Sequence, residues 1–266
     1  MEDAVLYALT KAGFFEKAVF AGKDGILDDL QKLEANILEF LLPNVDLNFI
    51  ASCLQRLPAV FEGLGAEAKI GKVQRDQRIS SRSEKNEKTV PDFFTVMLWL
   101  KPDNVWSPKT IEKEQPDNIP VCLHIENSLN RAVSLEWQTR MQPFVYALRA
   151  LSPSSHMAGI LFTLLCPAFT DRSAGKMLWT LVRLLAENVP LNLEDLNQML
   201  MDAGKSDRIP GREELLKKLG RVFDEMDYAQ AEQEMLPLVS ETVRSSLSLW
   251  SPEFFHEILS KLVIDE

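Results

Sequence analysis

Apolar residues at Ile26, Leu27, Leu30, Leu33, Ile37, Leu38 and Leu41 recur at the i, i+3/i+4, i+7 spacing of one helix face, and this spacing predicts a helix that stops ahead of Pro43. Asp24 stands where a cap is needed, and Asp28 and Asp29 suit the positive end of the helix dipole. Asp46 opens a second pattern, Leu47, Ile50, Leu54, Leu57 and Phe61, which Gly63 and Gly65 break. Two shorter helical pieces precede both, Ala4 to Lys11 and Phe14 to Phe20, separated by Gly13 and ended by Gly22. Helices this close in sequence predict an N-terminal four-helix bundle over residues 1–65.

Residues 66–118 read as a basic segment followed by an irregular linker. Apolar residues thin out from Ala66 to Thr89, while Pro102, Pro108, Pro116 and Pro120 punctuate the second stretch, where a domain boundary is expected. Phe93 to Leu100 and Val121 to Glu126 are too short for periodicity to separate helix from strand. Leu129, Val133, Trp137, Met141, Phe144, Tyr146 and Leu148 predict a further helical element, kinked or divided at Pro143. With Met157 to Cys166 and Met177 to Leu185 it forms a middle helical domain, 119–190. A C-terminal helical region, 191–266, holds Leu193 to Met201, Leu215 to Phe223 and a last helix opened by Ser251-Pro252-Glu253. The expected fold class is all-α: a four-helix bundle, a second helical bundle and C-terminal helices.

Composition narrows the function. The chain has 266 residues, 46% hydrophobic and 26% charged, enough for a substantial core without staples. Cys53, Cys122 and Cys166 are far apart and set among apolar neighbours, which argues for buried thiols in a reducing compartment. Acids follow Met1 where a signal peptide carries positive charge, and no apolar run approaches the roughly 20 residues of a bilayer span. Membrane contact is therefore expected to be peripheral. A net charge of -10 repels nucleic acid and anionic lipid unless a local basic surface outweighs it.

Candidate chemistry is sparse. His124, His156 and His256 stand alone, no zinc-ligand spacing, Walker loop, dinucleotide fingerprint or G-x-S-x-G elbow occurs, and Ser155-His156 reads as a loop pair. Neither an enzyme nor a cofactor or metal is expected on this ground. One enzyme reading stands beside it: Pro91-Asp92 before an apolar run, then Val121 to Ile125 leading into Glu126, resembles the divided acidic motif of PD-(D/E)xK nucleases. In that family the two acids hold Mg²⁺ and a Lys two residues after the Glu positions the attacking water; here that position is Ser128. Arg75, Arg78, Arg82 and Lys85 fall at i, i+3, i+7 and i+10, a narrow arc if helical, and form the candidate site for anionic lipid or RNA. No aromatic residue lies between them, so sequence-specific nucleic-acid recognition is not expected.

The opening residues carry a second resemblance. Ala4-Val5-Leu6-Tyr7-Ala8-Leu9-Thr10 with Gly13, then Val19-Phe20-Ala21-Gly22-Lys23 followed by Leu27 and Leu30, resembles the start of orthomyxovirus matrix proteins, and the length suits the thogotovirus type. The resemblance implies an all-helical structural scaffold that polymerises beneath the viral envelope and bridges membrane and ribonucleoprotein during assembly and budding. Its implied partners are other copies of itself, the viral ribonucleoprotein and an anionic membrane surface. Its implied places are the virion beneath the envelope, the host cytoplasm, the inner face of the plasma membrane and the nucleus. Val19, Phe20, Ala21, Gly22 and Lys23 then form an inter-helix turn, with Gly22 in a conformation few residues tolerate. A cytosolic helical adaptor is the remaining alternative.

Overall fold

The computed structural model describes residues 2–23, 36–42, 46–76, 93–102, 118–126, 134–166, 174–205, 208–239 and 241–265. The chain divides into two compact units. One comprises Met1–Asp24, Glu34–Leu129 and Glu136–Ala150, the other Gly25–Leu33, Asn130–Leu135 and Leu151–Glu266.

The first unit is built on a sheet. Its elements are α1 (Glu2–Lys11), a 3-10 turn at Phe14–Glu16, β1 (Val19–Lys23), β2 (Asn36–Leu41), α2 (Leu47–Gly63), β3 (Ala66–Asp76), β4 (Phe93–Pro102), β5 (Ile119–Glu126), β6 (Leu135–Arg140) and β7 (Tyr146–Leu151). Among the described residues the strands form one seven-stranded sheet in the order β3-β4-β5-β2-β1-β7-β6. β3, β4 and β5 make an antiparallel meander, β5 pairs parallel with β2, β2 antiparallel with β1, and β1 parallel with β7. Alternation explains β4 and β5. Phe94, Val96, Leu98 and Leu100 are buried, as are Val121, Leu123 and Ile125, whereas Thr95, Met97, Cys122 and His124 between them are half-buried. The buried set packs with Val5, Leu6 and Leu9 of α1 and Ile50, Leu54, Leu57 and Phe61 of α2, so both helices cover one sheet face. Asp46 caps α2, its Oδ1 accepting from the amides of Asn48 at 3.0 Å and Phe49 at 3.2 Å.

This mixed α/β sheet overturns the all-α expectation, and with it the N-terminal four-helix bundle. α1 and α2 are helices as the spacing predicts. Of the helix expected from Ile26 to Leu41, residues 24–35 lie outside the described residues, and Asn36–Leu41 is the strand β2. Leu38 and Phe40 are fully buried, and β2 is bonded on both sides, so its apolar run fits either period. Val19, Phe20, Ala21, Gly22 and Lys23 are not an inter-helix turn but strand β1, with a register shift between Phe20 and Gly22. The helix expected across Leu129 to Leu148 is likewise absent from its described part, which holds β6 and β7 joined through a cis Gln142-Pro143 bond. Trp137, Met141 and Phe144, whose spacing suggested a buried helix face, are exposed. Within 66–118, read as basic segment and linker, Ala66–Asp76 and Phe93–Pro102 are paired strands.

The described residues of the second unit are mainly helical: α3 (Pro153–Leu165), α4 (Ala174–Ala186), α5 (Leu193–Asp202), α6 (Arg212–Asp224), α7 (Tyr228–Met235), α8 (Glu241–Leu247) and α9 (Pro252–Leu259). A short parallel pair, β8 (Leu191–Asn192) and β9 (Ile264–Asp265), ties its C-terminal end beside the start of α5. Met157, Leu161, Leu178, Leu181, Leu196, Leu215, Leu219, Phe223 and Phe255 make its core. At Gly175 the backbone of α7 comes so close that a Cβ would overlap Ala231 O and lie 2.8 Å from Met235 Cγ. Ser251 caps α9, its Oγ accepting from the Phe254 amide at 3.2 Å, as the Ser-Pro-Glu opening predicts.

Candidate acidic site at one end of the sheet

Strand register sets Phe93, the residue after Pro91-Asp92, opposite Glu126, the other half of the split acidic motif. In the meander, Asp76 of β3 pairs with Phe93 of β4, and Phe93 pairs with Glu126 of β5. The last residue of β3, the first of β4 and the last of β5 therefore share one end of the sheet. Asp92 lies outside the described residues, but it is the neighbour of Phe93 in the chain. Two strand positions inward from Glu126, His124 is half-buried and has Thr95 of β4 and Glu39 of β2 as its register partners. Glu39 is half-buried too. Carboxylates are the hard oxygen donors that a divalent cation such as Mg²⁺ takes, so Asp92 and Glu126 fit one by residue type, while Asp92 and the Glu126 side chain lie outside the described residues. Among the described residues no three His, Cys, Asp or Glu side chains converge as a metal site.

The basic stripe fares differently. Arg75 belongs to β3, where its backbone pairs with Phe94, so the helical arc that joined it to the others does not hold at its first member. Arg78, Arg82 and Lys85 lie outside the described residues. A cleft of about 400 Å³ lined by Pro58, Ala59, Glu62, Ala66, Glu67 and Ala68 opens at the Ala66 end of β3. Along a strand running from Ala66 to Asp76 this is roughly 30 Å from the acidic end, so the cleft serves a different place. Among the described residues no helix is long and apolar enough to cross a membrane.

The buried polar groups turn out to be ties, and the Ser155-His156 pair, read from the sequence as a loop, lies in α3. Ser155, one member of the Ser155-His156 pair, is buried at the start of α3 and bonds Asp195 of α5, while its Oγ accepts from the Ser134 amide at 2.8 Å. Asp195 Oδ2 also accepts from Ser134 Oγ at 3.2 Å, so its carboxylate is spent on holding residue 134 and the two helices together. Asn197 bonds both backbone groups of Ile209, donating from Nδ2 at 3.0 Å and accepting at Oδ1 at 2.8 Å. Tyr146 of β7 donates to the Asp3 carbonyl at the start of α1 at 3.2 Å. The signal that could have marked β5 is the alternation Val121-Cys122-Leu123-His124-Ile125-Glu126, aliphatic at every second position with His124 and Glu126 between. No protein-family model matches the chain, and no curated protein matches it.

Proposed function

We propose that this chain is a nuclease-fold protein of the PD-(D/E)xK kind, in which Asp92 and Glu126 hold a divalent cation at a nucleic-acid phosphodiester. The observation that carries this is the register of Phe93, which follows Pro91-Asp92, opposite Glu126 in an antiparallel meander preceded by α2. A bound cation supplies Lewis-acid polarisation of the phosphoryl oxygen. The chain's own residues set how far the reaction goes. Ser128 offers a neutral hydroxyl where the family has an ammonium, so the charge beside the attacking oxygen would be lost. Phosphate binding with slow hydrolysis follows. With a net charge of -10, nucleic acid approaches best along the basic residues between β3 and β4, Arg78, Arg82, Lys85 and Lys88.

The test is calorimetric titration with Mn²⁺ alone, followed by cleavage of plasmid DNA and single-stranded RNA. Asp92→Asn with Glu126→Gln should abolish Mn²⁺ binding, and Ser128→Lys should raise cleavage by an order of magnitude or more. Equal Mn²⁺ binding by the parent and the double variant would refute the site. The scaffold reading rests on the orthomyxovirus resemblance alone. Its own test is flotation with anionic liposomes, which replacement of Arg75, Arg78, Arg82 and Lys85 by Glu should abolish.

A further inference from the structure

Strand β6 ends the sheet, with β7 on one side and, among the described residues, no strand on the other. Its two faces differ. Glu136, Gln138 and Arg140 are half-buried and bonded in line, Gln138 Nε2 donating to Glu136 Oε1 at 2.8 Å and Arg140 Nη2 to Gln138 Oε1 at 3.3 Å. Leu135, Trp137 and Thr139 alternate with them, and Trp137 and the following Met141 are each 70% exposed. Phe144 and Val145, in the connection to β7, are also exposed. This edge strand carries the charges of Glu136 and Arg140 on one face and an exposed tryptophan on the other.

The backbone adds direction. Residues 141–145 join β6 to β7, a connection that only an antiparallel pair allows. At the base of that hairpin the Ser152 amide donates to Ser134 O at 2.9 Å. Bonded residues alternate along an antiparallel ladder, so residues 136, 138 and 140 turn their backbone groups to β7. The amides and carbonyls of Leu135, Trp137 and Thr139 then point to the open edge.

We propose that β6 is a self-recognition strand at which two copies of this chain pair antiparallel about a two-fold axis through Gln138. In that register Glu136 of each copy stands opposite Arg140 of the other, so two charge pairs form. Trp137 stands opposite Thr139, whose edge-facing amides and carbonyls are the ones free to extend the ladder. A two-fold axis through Trp137 instead sets Glu136 against Gln138 and leaves the charges unmatched. Arg140 Nη1 also lies 3.9 Å from Asp3 Oδ1 within its own copy, which biases the guanidinium without spending all its donors. An isologous pairing of this kind closes on itself and stops at the dimer.

The experiment is analytical ultracentrifugation of the full chain over about 1–100 μM, the range in which contacts of this size assemble. The parent is expected to dimerise. Glu136→Arg and Arg140→Glu each set like charges opposite one another at both ends and should weaken the dimer about tenfold or more. An equimolar mixture of the two variants should dimerise again, since each then meets opposite charge at both ends. Thr139→Pro, which removes an edge-facing amide and none that faces β7, should be monomeric, and circular dichroism checks that each variant folds. A parent that stays monomeric overturns the proposal. So do single variants that dimerise as the parent does, a mixture that stays monomeric, or growth beyond the dimer.

Discussion

Replacing Asn197 by Ala tests whether one buried amide fixes the approach to α6. Asn197 is 2% exposed and makes two bonds to Ile209, which is itself 1% exposed. Ala removes both partners at once and leaves the Ile209 amide and carbonyl buried and unpaired. Each such group costs about 1–3 kcal/mol, so the loss should be roughly 2–6 kcal/mol, with about 4 as the central value. A unit of this size loses roughly 2–4 °C in melting temperature per kcal/mol, so a shift of roughly 8–16 °C is expected in its transition. Hydrogen exchange at the Ile209 amide should lose its protection in the same variant. Asn197→Asp should separate the two bonds. Its carboxylate still accepts from the Ile209 amide but faces the carbonyl without a donor, and burial raises the pKa of such an acid above the ordinary value of about 3.9. The folded state then prefers the protonated form, so this variant should be most stable below that ordinary value and lose stability as pH rises through its raised pKa. A melting temperature for Asn197→Ala within about 2 °C of the parent, with Ile209 still protected, would refute the reasoning.

Other outcomes follow from packing and burial. Gly175→Ala should destabilise the second unit by about 1–3 kcal/mol in denaturant titration, because its Cβ meets Ala231 O, a backbone atom that cannot swing aside. Tyr146 and Tyr228 should titrate above the ordinary phenol range in ultraviolet difference spectra, held up first by burial and then by Asp3 and Asp224 respectively. Their folded pKa values are raised, so the stability they contribute is complete below about pH 10 and is lost as pH climbs through the raised values. Cys53, Cys122 and Cys166 are free thiols whose pKa values burial raises, so alkylation at pH 8 should be slow in the native protein and fast in guanidinium.

What the sequence revealed depended on whether a signal was local. α4, α5, α6 and α9 each bury a single stripe, α3 is buried on nearly all sides, and breaks such as Pro190 and the Ser251-Pro252 start bound them, so local signals located them. α7 escaped notice because Tyr228–Met235 buries little beyond Ala231 and Met235, too small a stripe to register as periodic. The strands were lost for a different reason. β2 is apolar at positions that suit both repeats, and what makes it a strand is its place between β1 and β5, which no window of neighbouring residues contains. The candidate site divided along the same line. Pro91-Asp92 and Glu126 were visible as separate pieces, whereas the pairing of the next residue, Phe93, with Glu126 depends on the β4–β5 register. The basic stripe was projected onto a helix that Arg75, paired with Phe94 in β3, does not join.

The middle of the sheet also constrains how the molecule is made. β2 pairs Asn36 with Val121, and β1 pairs Phe20 with Ala150, so the two innermost N-terminal strands wait for partners synthesised much later. A chain still emerging from the ribosome holds Leu38 and Phe40 without their β5 partners Leu123 and Ile125, and Phe20 without its β7 partner Ala150, long after their own synthesis. High contact order of this kind slows folding and exposes unpaired edges to neighbouring nascent chains. Truncation between β4 and β5 should therefore yield insoluble product.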